Sequence, residues 1–329
     1  MLELADIEAA ARRLNGRVRR TPLVPWSVGG AGRGRPAVLL KAENLQTTGA
    51  FKARGAMHRL LVLQEEAARA GGPPPAGVAT ASSGNHGQAL AWAGAMLGIP
   101  VTVVVPEDAS PPKVAGALAW GATVERCGHT SGERIARATA LARESGLAYV
   151  PSYDDVDVMA GQGTLGLEIL DDLPGVREVA VPVGGGGLLS GVATAIKGRR
   201  PDVRVVGVEP EGSSAAYQSW RAGRRLELDH TETIADGLRT LGPGEKPWEV
   251  LSRRVDAFVT VSEAAIREAV RVLALEAKIV AEPSGAVTAA AVLSGALEAR
   301  DGLALVVSGG NVDPVLLAQL LAPSPAAAP

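Results

Sequence analysis

Cysteine is almost absent: Cys127 is the only one in 329 residues. No intrachain disulfide can form and no cysteine set is spaced for zinc, so a reducing, cytoplasmic setting is expected. Aromatic residues are scarce at 3%, too few for a groove that stacks single-stranded bases. Positive charge is not in excess either. Against 33 Lys and Arg stand 35 Asp and Glu, a formal net charge of −2, which removes bulk attraction to nucleic acid or an anionic membrane. Long hydrophobic runs are missing, because glycine, proline, serine, asparagine or a charge interrupts every apolar stretch before it could span a bilayer. The first residues carry Glu3, Asp6 and Glu8 where a secretory signal would be basic and then apolar. The chain has four histidines and no evident cluster of them, so metal dependence stays open. With nucleic acid and membrane set aside, a small molecule is the expected partner.

What is present is an ordinary globular composition, 47% apolar and 21% charged, in a length that calls for two domains or one large one. Short apolar runs alternate with amphipathic ones, the pattern of an α/β fold with parallel sheets. Strands are expected at Val38–Ala42, Gly77–Ala81, Val101–Val105, Glu178–Val183, Val203–Val208 and Leu303–Val307. Helices are expected at Asp6–Leu14, Phe51–Ala70, Gly87–Leu97, Pro112–Trp120, Gly132–Ser145, Leu188–Lys197, Glu263–Leu275, Ser284–Glu298 and Val312–Leu321. The run Gly71 to Gly77, with three prolines, fits neither a helix nor a central strand and marks a boundary. The expected division is a large domain of residues 1–72 and 150–322, a small domain of 73–149, and a disordered tail at 323–329. Gly212 to Arg253 has little periodicity and is expected to wrap the surface.

Three segments carry chemistry. In Gly49-Ala50-Phe51-Lys52-Ala53-Arg54-Gly55 a lysine sits between an aromatic and small residues, a way to present an amine to a flat aldehyde. Taken alone, Lys52 reads better as a surface lysine in a first helical turn, and the two segments that follow shift the balance. Ala81 to Gln88 packs hydroxyls, an amide and an imidazole between an apolar run and a helical one. Gly184-Gly185-Gly186-Gly187-Leu188 lies between an apolar run and a helix. A tight turn explains one or two of those glycines, but each further one costs roughly 0.5–1 kcal/mol of folding entropy against alanine, so something must approach the backbone closely. The spacing fits neither G-x-G-x-x-G nor G-x-x-x-x-G-K-[ST]. A single phosphate monoester on the helix start fits better. Phosphate cradle, lysine and polar loop together point to pyridoxal phosphate, whose aldehyde condenses with lysine.

These motifs, with Lys41 to Gln46, Glu209-Pro210, Ala235-Asp236-Gly237, Glu282-Pro283-Ser284-Gly285 and Ser308-Gly309-Gly310-Asn311 in that order, resemble the threonine/serine dehydratase and serine racemase branch of the fold type II pyridoxal-phosphate enzymes. The resemblance runs from about Thr21 to Asn311. It implies two domains, each a mainly parallel twisted sheet flanked by helices. It implies that Lys52 binds the cofactor aldehyde and later moves protons at Cα, with Phe51 and Gly237 covering the two ring faces. It implies that Asn85 donates to the ring hydroxyl, that Gly184, Gly185, Gly186, Gly187 and Leu188 hold the phosphate, and that Ser308 meets the ring nitrogen. The substrate carboxylate falls to Ser82, Ser83, Asn85 and His86, with Arg134 a further candidate.

A serine hydroxyl at the ring nitrogen does not force protonation there, so the ring withdraws fewer electrons. Prompt loss of a β-hydroxyl is then favoured over transamination. The resemblance therefore implies β-elimination from L-threonine or L-serine to the 2-oxo acid and ammonia. Ser83 keeps an alternative open: it is either a helix-capping hydroxyl or, as in racemase-like members, a proton donor and acceptor opposite the lysine. Serine racemisation, or dehydration of another β-hydroxy amino acid such as 3-hydroxyaspartate, is that alternative. Cysteine synthase and threonine synthase relatives differ at the lysine and substrate-loop motifs. Glu209 meets no second acid after Gly212, leaving a divalent-metal site in doubt and pairing with Arg221 open. The resemblance also implies a homodimer or homotetramer. Because the chain ends soon after Ser308, no isoleucine response through a C-terminal regulatory domain is expected.

Overall fold

The computed structural model describes residues 1–28, 37–82, 84–107, 109 and 111–322. Ser83 and the tail at 323–329 lie outside the described residues. Along the chain run α1 (Leu4–Leu14), β1 (Leu23–Ser27), β2 (Ala37–Ala42), α2 (Lys52–Arg69), β3 (Val78–Ala81), α3 (Asn85–Leu97), β4 (Val101–Val105), α4 (Pro111–Leu118), β5 (Thr123–Arg126), α5 (Ser131–Glu144) and β6 (Ala148–Tyr149). There follow α6 (Val156–Asp172), β7 (Glu178–Pro182), α7 (Gly187–Arg199), β8 (Arg204–Pro210), α8 (Ala215–Ala222), α9 (Glu245–Arg254), β9 (Ala257–Val261), α10 (Glu263–Val272), α11 (Pro283–Leu293), β10 (Leu303–Val307) and α12 (Pro314–Leu321).

The strands form two sheets, in the orders β1-β2-β10-β7-β8-β9 and β5-β4-β3-β6. Every pairing is parallel except β1 with β2. Central strands β7 and β10 are buried along their whole length, and their near-continuous apolar sequences suit strands covered by helices on both faces. The edge strand β5 is only half-buried and reads Thr-Val-Glu-Arg.

Several helix starts are written in the local sequence. Thr130 and Glu133 form a capping box at α5, while Asp155, Ser262 and Asp313 accept first-turn amides of α6, α10 and α12. The expected helix Glu263–Leu275 stops as α10 at Val272 and continues as a π turn over Leu273–Ala277.

Helix α6 is not among the helices expected from the sequence. Gly161, Gly163 and Gly166 make its propensity poor, yet the helix packs against both α2 and α7. A Cβ on Gly161 would lie 2.6 Å from the Gly55 Cα, and one on Gly191 would lie 2.3 Å from the Met159 carbonyl. Backbones touch at these crossings, so tertiary packing overrides propensity. Gly212 to Arg253 likewise holds two helices, α8 and α9. The latter buries Pro247, Val250 and Leu251.

Helix α2 joins the two sheets. Its start is tied to the large sheet, where the Phe51 amide donates to the Ser308 carbonyl at 3.0 Å. Its body packs Ala53, Ala56, Met57 and Leu60 with Val78, Val101 and Val103 of the small sheet. Lys52 therefore stands where the sheets meet. A buried ion cluster anchors the same turn: Arg54 bonds both Glu43 and Glu168, and Lys41 bonds Glu168 at 2.6 Å.

Candidate active site

Lys52 is the first residue of α2, and its half-buried side chain ends in an amine that donates to the Ser152 carbonyl at 2.6 Å. The Phe51 ring centre lies 5.0 Å from that nitrogen. Burial disfavours the ammonium form and pushes the Lys52 pKa down to about 8. The amine is therefore far easier to deprotonate than an exposed lysine.

One residue beyond Ser152, the Tyr153 ring lies on the glycine bend. A Cβ at Gly185 would sit 2.5 Å from this ring, and one at Gly187 would sit 2.9 Å from the Tyr153 Cβ. On the other side, a Cβ at Gly184 would lie 3.1 Å from the Leu238 Cα. Gly186 takes φ +90°, a left-handed conformation that glycine alone adopts without strain. It is the N-cap of α7 and supplies no side-chain cap, so the first-turn amides remain available to an anion. Gly185 and Gly187 are thus required by close approach and Gly186 by φ, while Gly184 leaves a Cβ little room.

The chain closes round from the glycine bend to Lys52. Gly237, beside Gly184, donates its amide to Ser284 Oγ at 2.9 Å. Ser308 Oγ lies 3.5 Å from the Ser284 carbonyl, and the Ser308 carbonyl holds the Phe51 amide. At the start of α3, Asn85 donates from Nδ2 to the Glu282 carboxylate at 2.7 Å and accepts from Asn311 at 2.8 Å. Glu282 in turn is the N-cap of α11, immediately before Pro283 and Ser284. Lys52, Phe51, Ser308, Gly237 and the glycine bend therefore surround one region, with Asn85 tied to it through Glu282.

The remaining sequence candidates divide. Ser82 Oγ accepts from the amides of Gly84 and Gly87, at 3.3 and 3.0 Å, and so organises the start of α3. His86 is buried beside this turn, 3.3 Å from the Val150 carbonyl. Burial first, and the neighbouring Lys52 charge second, push its pKa down to about 3, so the ring is neutral. Its Nδ1 has no hydrogen-bond partner among the described residues. The Arg134 guanidinium donates to the His129 carbonyl and Ser131 Oγ at the start of α5. Glu209 is buried and accepts the Ala216 and Tyr217 amides at the start of α8, while Arg221 reaches the Tyr217 hydroxyl instead. The Glu209–Arg221 pairing left open by the sequence is not formed. Among the described residues, no group of three His, Cys, Asp or Glu could hold a metal, and no helix is long and apolar enough to cross a membrane.

Sequence reasoning assigns no role to Ser152, Tyr153, Ser284 or Glu282. Ser284 and Glu282 do lie inside one of the motifs that carry the resemblance. Ser152 acts through its carbonyl, which leaves no mark in a sequence.

The donor set fits pyridoxal phosphate: a deprotonatable amine, a glycine bend whose amides no side chain caps, and the Ser308 hydroxyl. The chain is 42% identical over 313 residues to the L-threonine ammonia-lyase of Thermotoga maritima, covering 95% of this chain and 76% of that protein. It is 42% identical over 318 residues to the L-threonine dehydratase catabolic TdcB of Staphylococcus aureus, covering 95% and 90%. Among solved structures it is similar to a threonine deaminase from T.th., with a TM-score of 0.86, 44% identity and coverage of 94% and 99%. Maize serine racemase is also similar, with a TM-score of 0.89, 34% identity and coverage of 97% and 96%. Residues 14–309 match the pyridoxal-phosphate dependent enzyme family, and with an amine and a glycine bend converging in a fold type II architecture, the chain belongs to that family.

Proposed function

We propose that this protein is an ammonia-lyase that converts L-threonine or L-serine to the 2-oxo acid and ammonia. The observation that carries the reading is the convergence of Lys52 and the Gly184–Leu188 bend on adjacent residues, Ser152 and Tyr153. The similarity to threonine ammonia-lyase and dehydratases over 95% of the chain supports the substrate class.

Bound pyridoxal phosphate supplies an aldehyde for the amine and a ring that withdraws electrons from the substrate Cα. In this reading Lys52 holds the cofactor and then takes the Cα proton, a role suited to an amine with a pKa of about 8. The amides of Gly184, Gly185, Gly186, Gly187 and Leu188 bind the phosphate. Phe51 and Gly237 line the two ring faces. Ser308 offers a hydroxyl to the ring nitrogen and leaves its protonation unforced. Asn85, held between Glu282 and Asn311, offers its amide to the ring hydroxyl. The turn of Ser82, Ser83, Asn85 and His86 receives the substrate carboxylate, with His86 a neutral ring. Arg134 is a further candidate for the same carboxylate. The β-hydroxyl leaves as water, the amino nitrogen as ammonia, and one water restores the 2-oxo carbon.

The same reading includes a large domain of residues 1–72 and 150–322 and a small one of 73–149, supported by the two sheets. A homodimer or homotetramer is the proposed assembly, checked by sedimentation. A cytoplasmic location is proposed from the single cysteine. Purified protein is expected to release 2-oxobutanoate from L-threonine and to carry a borohydride-fixed adduct on Lys52; full turnover by Lys52→Ala would refute the mechanism. Serine racemisation is the second reading. It is favoured by Ser83 in the sequence, and chiral analysis of serine incubated with the enzyme decides it.

A further inference from the structure

Residues 150–155 connect β6 to α6 and touch the site at successive points. The Val150 carbonyl faces His86 at 3.3 Å, and the Ser152 carbonyl holds Lys52 Nζ at 2.6 Å. The Tyr153 ring covers Gly185 while its main chain abuts Gly187. The Asp154 carboxylate accepts the amides of Glu245 and Lys246 at 3.1 and 3.0 Å, just after Gly244, whose amide donates to the Gly185 carbonyl at 3.0 Å. Asp155 caps α6. Gly185 is thereby fixed by the Tyr153 ring and by the turn that Asp154 holds. The amine and the glycine bend hang from neighbouring residues of one strap.

We propose that Tyr153 is a positioning residue that sets the distance between the Lys52 amine and the glycine bend, and so selects a phosphorylated pyridine aldehyde over its unphosphorylated counterpart. The proposal rests on the pyridoxal-phosphate reading above and assigns a residue outside the cradle itself. A phosphate is bound only when several amides converge on it. The Tyr153 ring fills the space where a Gly185 side chain would stand, close enough to exclude even a methyl group, and so helps to keep those amides in place. Removing the ring lets the bend relax into the space. The aldehyde end is held separately, by the first turn of α2 and the Ser152 carbonyl, and does not depend on the ring. Loss of Tyr153 therefore acts on the phosphate end alone. Burial, with Asp154 and Glu227 nearby, raises the phenol pKa, so the side chain serves as neutral packing, a role that phenylalanine can also fill.

The test uses full-length Tyr153→Phe and Tyr153→Ala proteins, titrated with pyridoxal phosphate and with pyridoxal and read by visible absorbance. Adduct mass after borohydride reduction confirms attachment at Lys52. Tyr153→Phe is expected to keep the wild-type ratio of the two affinities. Tyr153→Ala is expected to narrow that ratio by about tenfold or more, the equivalent of one lost charge-assisted amide–phosphate bond, with pyridoxal binding little changed. An equal loss for both aldehydes, or an unchanged ratio, overturns the proposal. Gly185→Ala supplies an independent arm. Its methyl meets the ring in the wild type but has room beside Tyr153→Ala, so the double variant is expected to lose less than the sum of the singles, and strict additivity overturns the ring–glycine contact as the cause. Wild-type protein that takes up neither aldehyde overturns the enzymatic reading itself. Wild-type protein that binds both equally well overturns only the role of Tyr153.

Discussion

Replacing Arg54 by methionine keeps most of the side-chain volume and removes one charge from the cluster that anchors α2. The guanidinium donates to Glu43 at 2.9 and 2.8 Å, to Glu168 at 2.6 and 2.9 Å, to Thr164 Oγ at 3.2 Å and to the Arg19 carbonyl at 3.3 Å. Arg54 and Glu43 are both fully buried, at 0% exposure. Lys41, which is also buried, is committed to Glu168 and the Thr21 carbonyl. In Arg54→Met the Glu43 carboxylate keeps only the Thr21 hydroxyl as a direct partner. Lost hydrogen bonds and an uncompensated buried charge act in the same direction, and breaking such a pair costs about 3–5 kcal/mol.

The pH dependence distinguishes charge from packing. Burial opposes ionisation of Glu43, but Arg54 outweighs it and holds the pKa below the ordinary carboxylate value. In the wild type this contribution is present above the unfolded pKa and is lost as pH falls through the folded one. Without Arg54 only the Thr21 hydroxyl and the Lys41 charge still oppose the burial, and the folded pKa is expected to rise above the ordinary 4.5, so the variant loses stability as pH increases from there. The gap between wild type and Arg54→Met should therefore widen from about pH 5 to about pH 8 in urea denaturation followed by circular dichroism. Adding Glu43→Gln, which removes the orphaned charge, should recover about 2 kcal/mol at about pH 8. A penalty below about 1 kcal/mol, or one equal at both pH values, would refute the reasoning.

Other outcomes follow from the same geometry. Lys52 binds fewer protons folded than unfolded between pH 8 and 10.5, since its folded pKa is about 8 against an ordinary 10.5. Cofactor-free protein should thus gain stability as pH rises across that window, and Lys52→Met should remove this gain in thermal melts. Attachment of added pyridoxal phosphate should also accelerate as pH rises through about 8, monitored by stopped-flow absorbance. Gly191→Ala places a methyl 2.3 Å from the Met159 carbonyl and should cost about 1–3 kcal/mol or more by forcing α6 from α7; an unchanged denaturation midpoint would count against backbone contact there. Ser308→Asp puts an acid where a hydroxyl now stands, favouring a protonated ring nitrogen. Elimination should fall while amino transfer to the cofactor rises, and product analysis with L-threonine showing no such shift would remove Ser308 from the ring nitrogen.

The elements legible in the sequence are those whose physics is local. Strands β2, β3, β4, β7, β8 and β10 lie at or within a few residues of the expected bounds, because buried parallel strands read as short apolar runs between turn residues. Strands β1, β5, β6 and β9 are not visible in the sequence pattern. Pro25 breaks the pattern of the first, β5 is half polar, β6 has only two residues, and β9 follows a stretch with no clear periodicity. Helix α6 is hidden by its glycines, which lower helix propensity and acquire their purpose only against Gly55 of α2 and against Gly191, Val192 and Ala195 of α7.

From composition and motif alone come the α/β class, the amine of Lys52 and the glycine bend at Gly184–Leu188. Each is a property of a few neighbouring residues, and side-chain chemistry or backbone freedom announces it without knowledge of the rest of the chain. Folding supplies the rest: the meeting of residues 52 and 185 across one strap, the pinning of Asn85 by Glu282 from 197 residues away, and the neutrality of His86. These depend on burial and on backbone carbonyls brought together from distant segments, and neither leaves a signature in the order of amino acids.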